Sequence, residues 1–324
     1  MDTTRILGFV LLATSTAFAA DGFAQQYPSK PIRMIVPFSP GGGVDLIGRT
    51  LAQKMQEAWG QPVIVDNRGG AGGNLGTDMV AKSPPDGYTL LMGYVGNLAI
   101  NPWLFKKLPY DPVKDFVPVS LTATAPNLLV AHPSVAATTV KDLVTLAKAK
   151  AGALSYASAG VGTVGHMVAE LFKSATGTNI VHIPYKGNGP AVTDLLGGQV
   201  QLMFGAPGAM IAFVEAKRVK AIAVTGQKRS PELPDTPTFA ESGFPKVEAN
   251  GWYGVLAPAG TPRTVVDAVN KQIVRIISLP EVRERLVTHG YTPTSSTPEE
   301  FAQLIKSDLV KWRDVVKASG ATAE

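Results

Sequence analysis

Nine residues near the start of the chain constrain its fold most: Pro37-Phe38-Ser39-Pro40-Gly41-Gly42-Gly43-Val44-Asp45. Before them, Ile32-Arg33-Met34-Ile35-Val36 is a short β-branched run that reads as a buried strand. After them, Leu46, Ile47, Thr50, Leu51, Met55 and Ala58 recur at helical spacing until Gly60 ends the pattern. Strand, glycine turn and helix open an α/β unit. Without Cβ atoms, the glycines let the backbone approach a ligand closely. The first helical turn aims free N–H groups, backed by a partial positive charge, into the same space. Such a turn suits a carboxylate or phosphate, although Gly-Gly-Gly alone serves equally well as a plain connection.

The device recurs. Pro62-Val63-Ile64-Val65-Asp66 reads as a second strand, running into Asn67-Arg68-Gly69-Gly70-Ala71-Gly72-Gly73-Asn74 and a helix with Leu75, Met79 and Val80. Tyr88-Thr89-Leu90-Leu91-Met92 is a third strand, introduced by the turn Pro84-Pro85-Asp86-Gly87. The order βαβαβ predicts a mostly parallel, doubly wound sheet, with ligands held beyond the carboxyl ends of its strands. Residues 101–118 read as a surface connection, 127–131 as a strand and 138–150 as a helix. Leu154-Ser155-Tyr156-Ala157 then feeds Ser158-Ala159-Gly160-Val161-Gly162-Thr163 and a helix from His166 to Ala175. Further units follow: strand 180–183, helix 190–196, strand 201–204, helix 207–216 and strand 219–224. A strand at 253–257 and helices at 262–277, 281–288 and 298–317 close the chain, the last with Thr297 as N-cap and Glu300 at the capping-box position. Two interwoven lobes of one architecture are predicted: 28–124 with 251–324, and 125–250.

A chain of 324 residues suits two such lobes. Hydrophobic content of 45% against 17% charged supports a sizeable core. The absence of cysteine removes disulfides, thiolate catalysis and cysteine-ligated metals together. Arg5, the apolar run Ile6 to Ala13 and the small-residue stretch through Ala17-Phe18-Ala19 have the layout of a signal peptide over residues 1–19, cleaved after Ala19, with Ala24 as a second candidate. That run is far shorter than the roughly 20 apolar residues of a membrane span. The expected product is exported, periplasmic and monomeric. Removing Asp2 and Arg5 leaves the net charge at +5, and the basic residues form no run, so no nucleic-acid partner is expected.

Catalytic motifs fail on their details. Gly160-Val161-Gly162-Thr163-Val164-Gly165 matches the dinucleotide pattern, but no Asp or Glu lies between Glu170 and Asp194 to bind a ribose. No cofactor is expected. Ser158 with His166 nearby suggests a hydrolase, the alternative reading, but position 156 is Tyr where a nucleophile elbow needs glycine. His132, His166, His182 and His289 lack metal-ligand spacing, and no metal is expected. His132 and His289 read as surface residues and His182 as a satisfied core histidine. The strand ends carry glycines, hydroxyls and amides, which suits binding without chemistry.

These motifs occur in an order that is similar to a known family. Pro37 to Asp45, Asn67 to Gly73, Asp86-Gly87-Tyr88-Thr89-Leu90 and Leu108-Pro109-Tyr110-Asp111-Pro112 come first. Ser158 to Thr163 with His166, Asp194-Leu195-Leu196-Gly197-Gly198-Gln199-Val200 and Ala257-Pro258-Ala259-Gly260-Thr261-Pro262 continue it. Together they resemble the Bug family, the periplasmic solute receptors of tripartite tricarboxylate transporters, over essentially the whole mature chain. The resemblance implies a two-lobed, hinged binding protein that closes on a small organic carboxylate and delivers it to the transporter's membrane components. It implies carboxylate contacts from Phe38, Ser39, Pro40, Gly41, Gly42, Gly43 and Asp45 in one lobe and Ser158, Ala159, Gly160, Gly162, Thr163 and His166 in the other. The far end of the ligand would meet Tyr94 to Asn97, Tyr185 to Gly187 and Gly205-Ala206. Which carboxylate is bound stays open, as does a sensor role using the same pocket.

Overall fold

The computed structural model describes residues 27–323; the expected signal peptide lies outside them. In chain order the elements are β1 (Ile32–Val36), α1 (Gly43–Trp59), β2 (Val63–Asn67), α2 (Asn74–Ala81), β3 (Thr89–Tyr94), α3 (Asn101–Leu104), β4 (Phe116–Pro126), β5 (Leu128–Ala131), α4 (Val140–Ala149), β6 (Ser155–Ser158), α5 (Val164–Thr176), β7 (Val181–Pro184), α6 (Asn188–Leu196), β8 (Leu202–Gly205), α7 (Ile211–Glu215), β9 (Lys220–Val224), β10 (Asn250–Pro258), α8 (Arg263–Ser278), α9 (Pro280–Thr288), β11 (Thr292–Pro293) and α10 (Pro298–Ser319). Among the described residues no helix is long and apolar enough to cross a membrane.

The strands form two sheets, in the orders β11-β4-β10-β3-β1-β2 and β7-β6-β8-β5-β9. Their first βαβαβ units are built alike. In β2-β1-β3 and in β7-β6-β8 the earliest strand is central and both neighbours run parallel to it. β1 is buried on both faces, as its continuous apolar run requires.

Outside these trios the expectation of mostly parallel sheets gives way to antiparallel pairing: β10 on β3 and β4, β11 on β4, and β5 on β8 and β9. Connectivity is the reason. A parallel neighbour needs a crossover within its own sheet, whereas β5 and β10 arrive from the other lobe. β4 leaves the first sheet, passes Asn127 and continues as β5; after β9 the chain returns as β10.

Two expectations are corrected. Residues 101–118 are a surface connection only in the middle, where Lys106, Lys107, Pro109, Val113 and Lys114 are exposed: the ends are α3 and the start of β4, with Asn101 and Phe116 buried. Proline normally marks a strand edge, and Pro118 hid β4 from a pattern reading. The β4–β10 register shifts beside it. The helix expected over 207–216 is broken into a 3₁₀ turn, Pro207–Ala209, and the short α7.

Side-chain alternation builds the core. In the second sheet Leu129, Ala131, Tyr156, Leu202 and Phe204 join the larger cluster, while Leu128, Val130, Ala157 and Met203 point to the other face. α10 carries Phe301, Ile305, Trp312 and Val316 inward. It packs on β4 and on α5, and so touches both lobes. The Phe301 ring stands edge-on to Trp252 at 5.3 Å.

Candidate functional site: a cavity between two glycine turns

Each lobe contributes a glycine turn that opens a helix. In the first, Gly42 is the N-cap of α1 and offers no capping side chain, so the first-turn N–H groups before Leu46 are left without a cap. Asp45 holds this turn rather than facing the cavity. Its carboxylate accepts hydrogen bonds from Gly41 N (3.1 Å), Arg49 Nε (3.1 Å) and Asn67 Nδ2 (2.9 Å).

In the second turn Thr163 caps α5: its Oγ1 accepts from His166 N at 3.4 Å and donates to Gly160 O at 2.8 Å. His166 Nδ1 accepts from Gly162 N at 3.3 Å. The three rings Tyr156, His182 and His166 stack, with centroids 4.7 and 4.4 Å apart. Burial pulls the pKa of His166 down to about 4 and that of His182 to about 3; Lys173 presses on both, and the His166 ring adds to the effect on His182. Both are therefore neutral at pH 7, as an acceptor role requires. Gly165, third glycine of the dinucleotide-like pattern, serves packing: a methyl there would come within 2.2 Å of Phe204 O on β8.

The sequence paired Ser158 with His166, but the structure pairs it with His182. Ser158 Oγ lies 2.7 Å from His182 Nε2 and 3.2 Å from both Gly160 N and Gly160 O. Ser158 is wholly buried, and among the described residues no carboxylate bonds to His182. His182 is half-buried rather than a core residue.

The lobes touch across the cleft. Tyr94 Oη accepts a hydrogen bond from Val164 N at 3.2 Å, and Ser39 N donates to Lys186 O at 3.0 Å. A methyl at Gly72 would fall 2.1 Å from Val161 O, and one at Gly162 would fall 1.7 Å from Asn101 Oδ1. Both glycines have positive φ, +63° and +78°, so neither position accepts a side chain easily.

Between the turns lies a cavity of about 30 Å³, room for two or three water-sized groups. Phe38, Gly42, Gly43, Ala159, Thr163, Gly205 and Ala206 line it, all named from the sequence. Gly160 and Tyr185, with Phe38 and Ala159, line an adjoining outer cavity of about 500 Å³ that also meets Gly70–Gly73 and Lys186. Ser39, Pro40, Gly41, Asp45, Ser158, Gly162 and His166 are on neither wall: Pro40 and Gly41 are exposed, while Asp45, Ser158 and His166 hydrogen-bond within the turns. The inner wall adds Val44, Tyr94, Asn127, Gly165, Asn188, Phe204 and Tyr253. Tyr94 belonged to a turn expected at the far end of the ligand, and Asn188 to the glycine turn after β7. Asn127 and Tyr253 had no local signal. The inner wall carries no charged side chain, so an anion there would meet amides, hydroxyls and helix N-termini.

Comparison with known proteins agrees with this architecture. Residues 47–321 match the model of the tripartite tricarboxylate transporter family receptor. Protein BugT of Bordetella pertussis is 39% identical over 323 residues, covering 99% of each chain. The solved periplasmic binding protein BugD superposes with a TM-score of 0.89 at 37% identity, covering 92% of this chain and 100% of its own. A protein of R. palustris solved with adipate gives 0.89 at 35%, covering 91% and 99%. With a family match over most of its length and two lobes meeting at a cavity between glycine turns, the chain belongs to the tripartite tricarboxylate transporter receptor family, that of the Bug proteins.

Proposed function

We propose that this protein is a periplasmic receptor that captures a small organic carboxylate between its lobes and delivers it to the membrane components of a tripartite tricarboxylate transporter. The observation that carries this reading is the inner cavity, where two glycine turns from different sheets meet at the N-termini of α1 and α5 and no charged side chain lies on the wall. Neutral donors and helix ends stabilise an anion and release it when the lobes part. The lobes are 28–124 with 251–324, and 125–250, hinged where the chain crosses near Asn127 and Asn250. The chain is exported with cleavage after Ala19, acts as a monomer and catalyses nothing. The adipate held by the R. palustris relative supports the ligand class.

A thermal-shift screen of the mature protein against organic acids tests the reading. A ligand at a hundred times its dissociation constant adds about 2.7 kcal/mol to stability. A mature, folded protein that no organic acid stabilises overturns it.

The Ser158–His182 contact favours a second reading, an exported esterase. Against it, Ser158 is sealed from solvent, and a histidine with a pKa of about 3 is a weak general base. The expected result is no turnover of an activated ester such as p-nitrophenyl acetate; turnover abolished by Ser158→Ala would establish the enzyme.

A further inference from the structure

Tyr291 lies on neither the inner nor the outer wall, yet glycines of both lobes make room for its ring. It stands between α9 and β11 and is 2% exposed. The ring is edge-on to Tyr253, an inner-wall residue, at 5.4 Å. Its hydroxyl reaches the first turn of α1, where a methyl at Gly43 would lie 2.2 Å from Tyr291 Oη. A methyl at Gly208, in the 3₁₀ turn of the other lobe, would lie 2.4 Å from Tyr291 Cε2 and 2.6 Å from Oη. The contact extends one residue back: a methyl at Gly290 would fall 2.7 Å from Pro207 Cβ and 2.8 Å from Ile211 Cδ1. On the hinge side a separate cavity of about 440 Å³ meets Tyr291, lined also by Thr124, Ala125, Pro126 and Asn250 of the crossing strands.

Neither Gly43 nor Gly208 has a positive φ, so backbone freedom is no reason for glycine at either position. Room for the ring is the reason, since either methyl would stand well inside van der Waals contact of Tyr291. Within its own lobe the ring is boxed by Gly43 and Tyr253. Close-packed interiors transmit such strain rather than absorb it. Bulk added at Gly208 therefore displaces the opposite lobe rather than the ring.

We propose that Tyr291 is a positioning residue for carboxylate capture: seated between the α1 turn and Pro207–Gly208, it fixes how closely the two lobes approach at the inner cavity. The proposal rests on the carboxylate-receptor reading and adds to it a residue that touches no ligand.

A double-mutant cycle on the mature protein tests it. Succinate, malate, adipate, citrate and benzoate are screened by thermal shift, and the acid that most stabilises the wild type becomes the titrant in calorimetry. Gly208→Ala should weaken its binding by about tenfold or more, because lobes held apart rarely populate the closed state. Tyr291→Leu keeps an apolar side chain but withdraws Cε2 and Oη, and should by itself weaken binding roughly tenfold. In that background Gly208→Ala should cost no more than about a further threefold. Gly197→Ala, where the nearest atom would be 3.5 Å away, is the control and should bind as the wild type does.

Urea melts of the same proteins separate positioning from plain packing: a merely structural role would show the coupling in stability and leave the affinity of the folded protein unchanged. Circular dichroism checks that each variant is folded, and Tyr291→Met replaces Tyr291→Leu if the latter is not. Folded Gly208→Ala binding within about threefold of the wild type, or losing as much affinity beside Tyr291→Leu as alone, overturns this proposal and leaves the receptor reading standing. Unchanged affinity in folded Tyr291→Leu does the same. If neither this set nor the wider screen yields an acid that binds the wild type, both readings fall.

Discussion

The Tyr94 hydroxyl, at the end of β3 in one lobe, accepts a hydrogen bond from the Val164 amide at the start of α5 in the other, at 3.2 Å. A helix N-terminus that would otherwise be satisfied by water or ligand is thus tied to the opposite lobe. Tyr94 also packs in a line of rings, edge-on to Phe38 at 5.8 Å and tilted against Tyr253 at 5.2 Å, both on the cavity wall. Lobe contact and the inner cavity therefore share one side chain.

Tyr94→Phe keeps the ring and removes the acceptor. An ordinary hydrogen bond contributes about 0.5–1.5 kcal/mol net, so carboxylate affinity should fall by up to about tenfold, as titration calorimetry would read. The melting temperature without ligand should change little; a large drop there would mean that Tyr94 acts chiefly in the fold.

Gly72→Ala and Gly162→Ala should keep the lobes apart. Each methyl would strike the opposite lobe, Val161 O or Asn101 Oδ1. Gly177→Ala is the matched control: φ is +63° there too, but nothing lies within 4 Å. All three variants bear a left-handed backbone cost of about 1–2 kcal/mol. Only the first two should show a larger radius of gyration in X-ray scattering and a carboxylate affinity lowered by roughly a hundredfold or more, since a closed state raised by a few kcal/mol is rarely populated. Equal affinities for all three would remove lobe contact from the binding step.

The histidine stack makes stability depend on pH. Both rings have an ordinary pKa of 6.5, depressed by burial to about 4 in His166 and about 3 in His182. Between those values the unfolded chain binds more protons than the folded one, so stability falls as pH falls. It should be flat above about pH 7, decline from about 6.5, and lose the full contribution only below the folded values. Asp66, Asp86, Asp111 and Asp142 have lowered carboxyl pKa values and act below that upper range. Urea unfolding at pH 7.5, 6 and 5 should show the decline, and a His166→Gln, His182→Gln double variant should flatten it.

Phe301→Ala should separate stability from binding. The ring is fully buried between Trp252 and Gly254, far along the chain from either glycine turn. Truncation of a buried phenylalanine costs about 3–5 kcal/mol, visible in urea melts, while the affinity of the remaining folded protein should stay within about threefold. A larger loss of affinity would show that α10, which packs on both β4 and α5, helps to set the lobe arrangement.

Much of this architecture is legible in the chain because its signals are local. The β-branched run Ile32–Val36, the glycines after it and the helical spacing up to Gly60 each act over a few residues, and β1, the turn and α1 stand where they indicate. The same holds for β6, the turn after Ser158 and α5. The crossing strand β4 was hidden, since its pairing with β10 joins residues more than a hundred positions apart and Pro118 interrupts its pattern.

The sequence by itself determined two βαβαβ units, each opening at a glycine turn, because turn conformation and helix start depend on neighbours in the chain. Only the tertiary structure decided that Tyr94, Asn127, Asn188 and Tyr253 line one cavity, that Asp45 faces its own turn, and that Ser158 meets His182 rather than His166. Those relations depend on strand order and on how closely the two lobes approach, and both are set by packing between segments far apart in the chain, which no local spacing records.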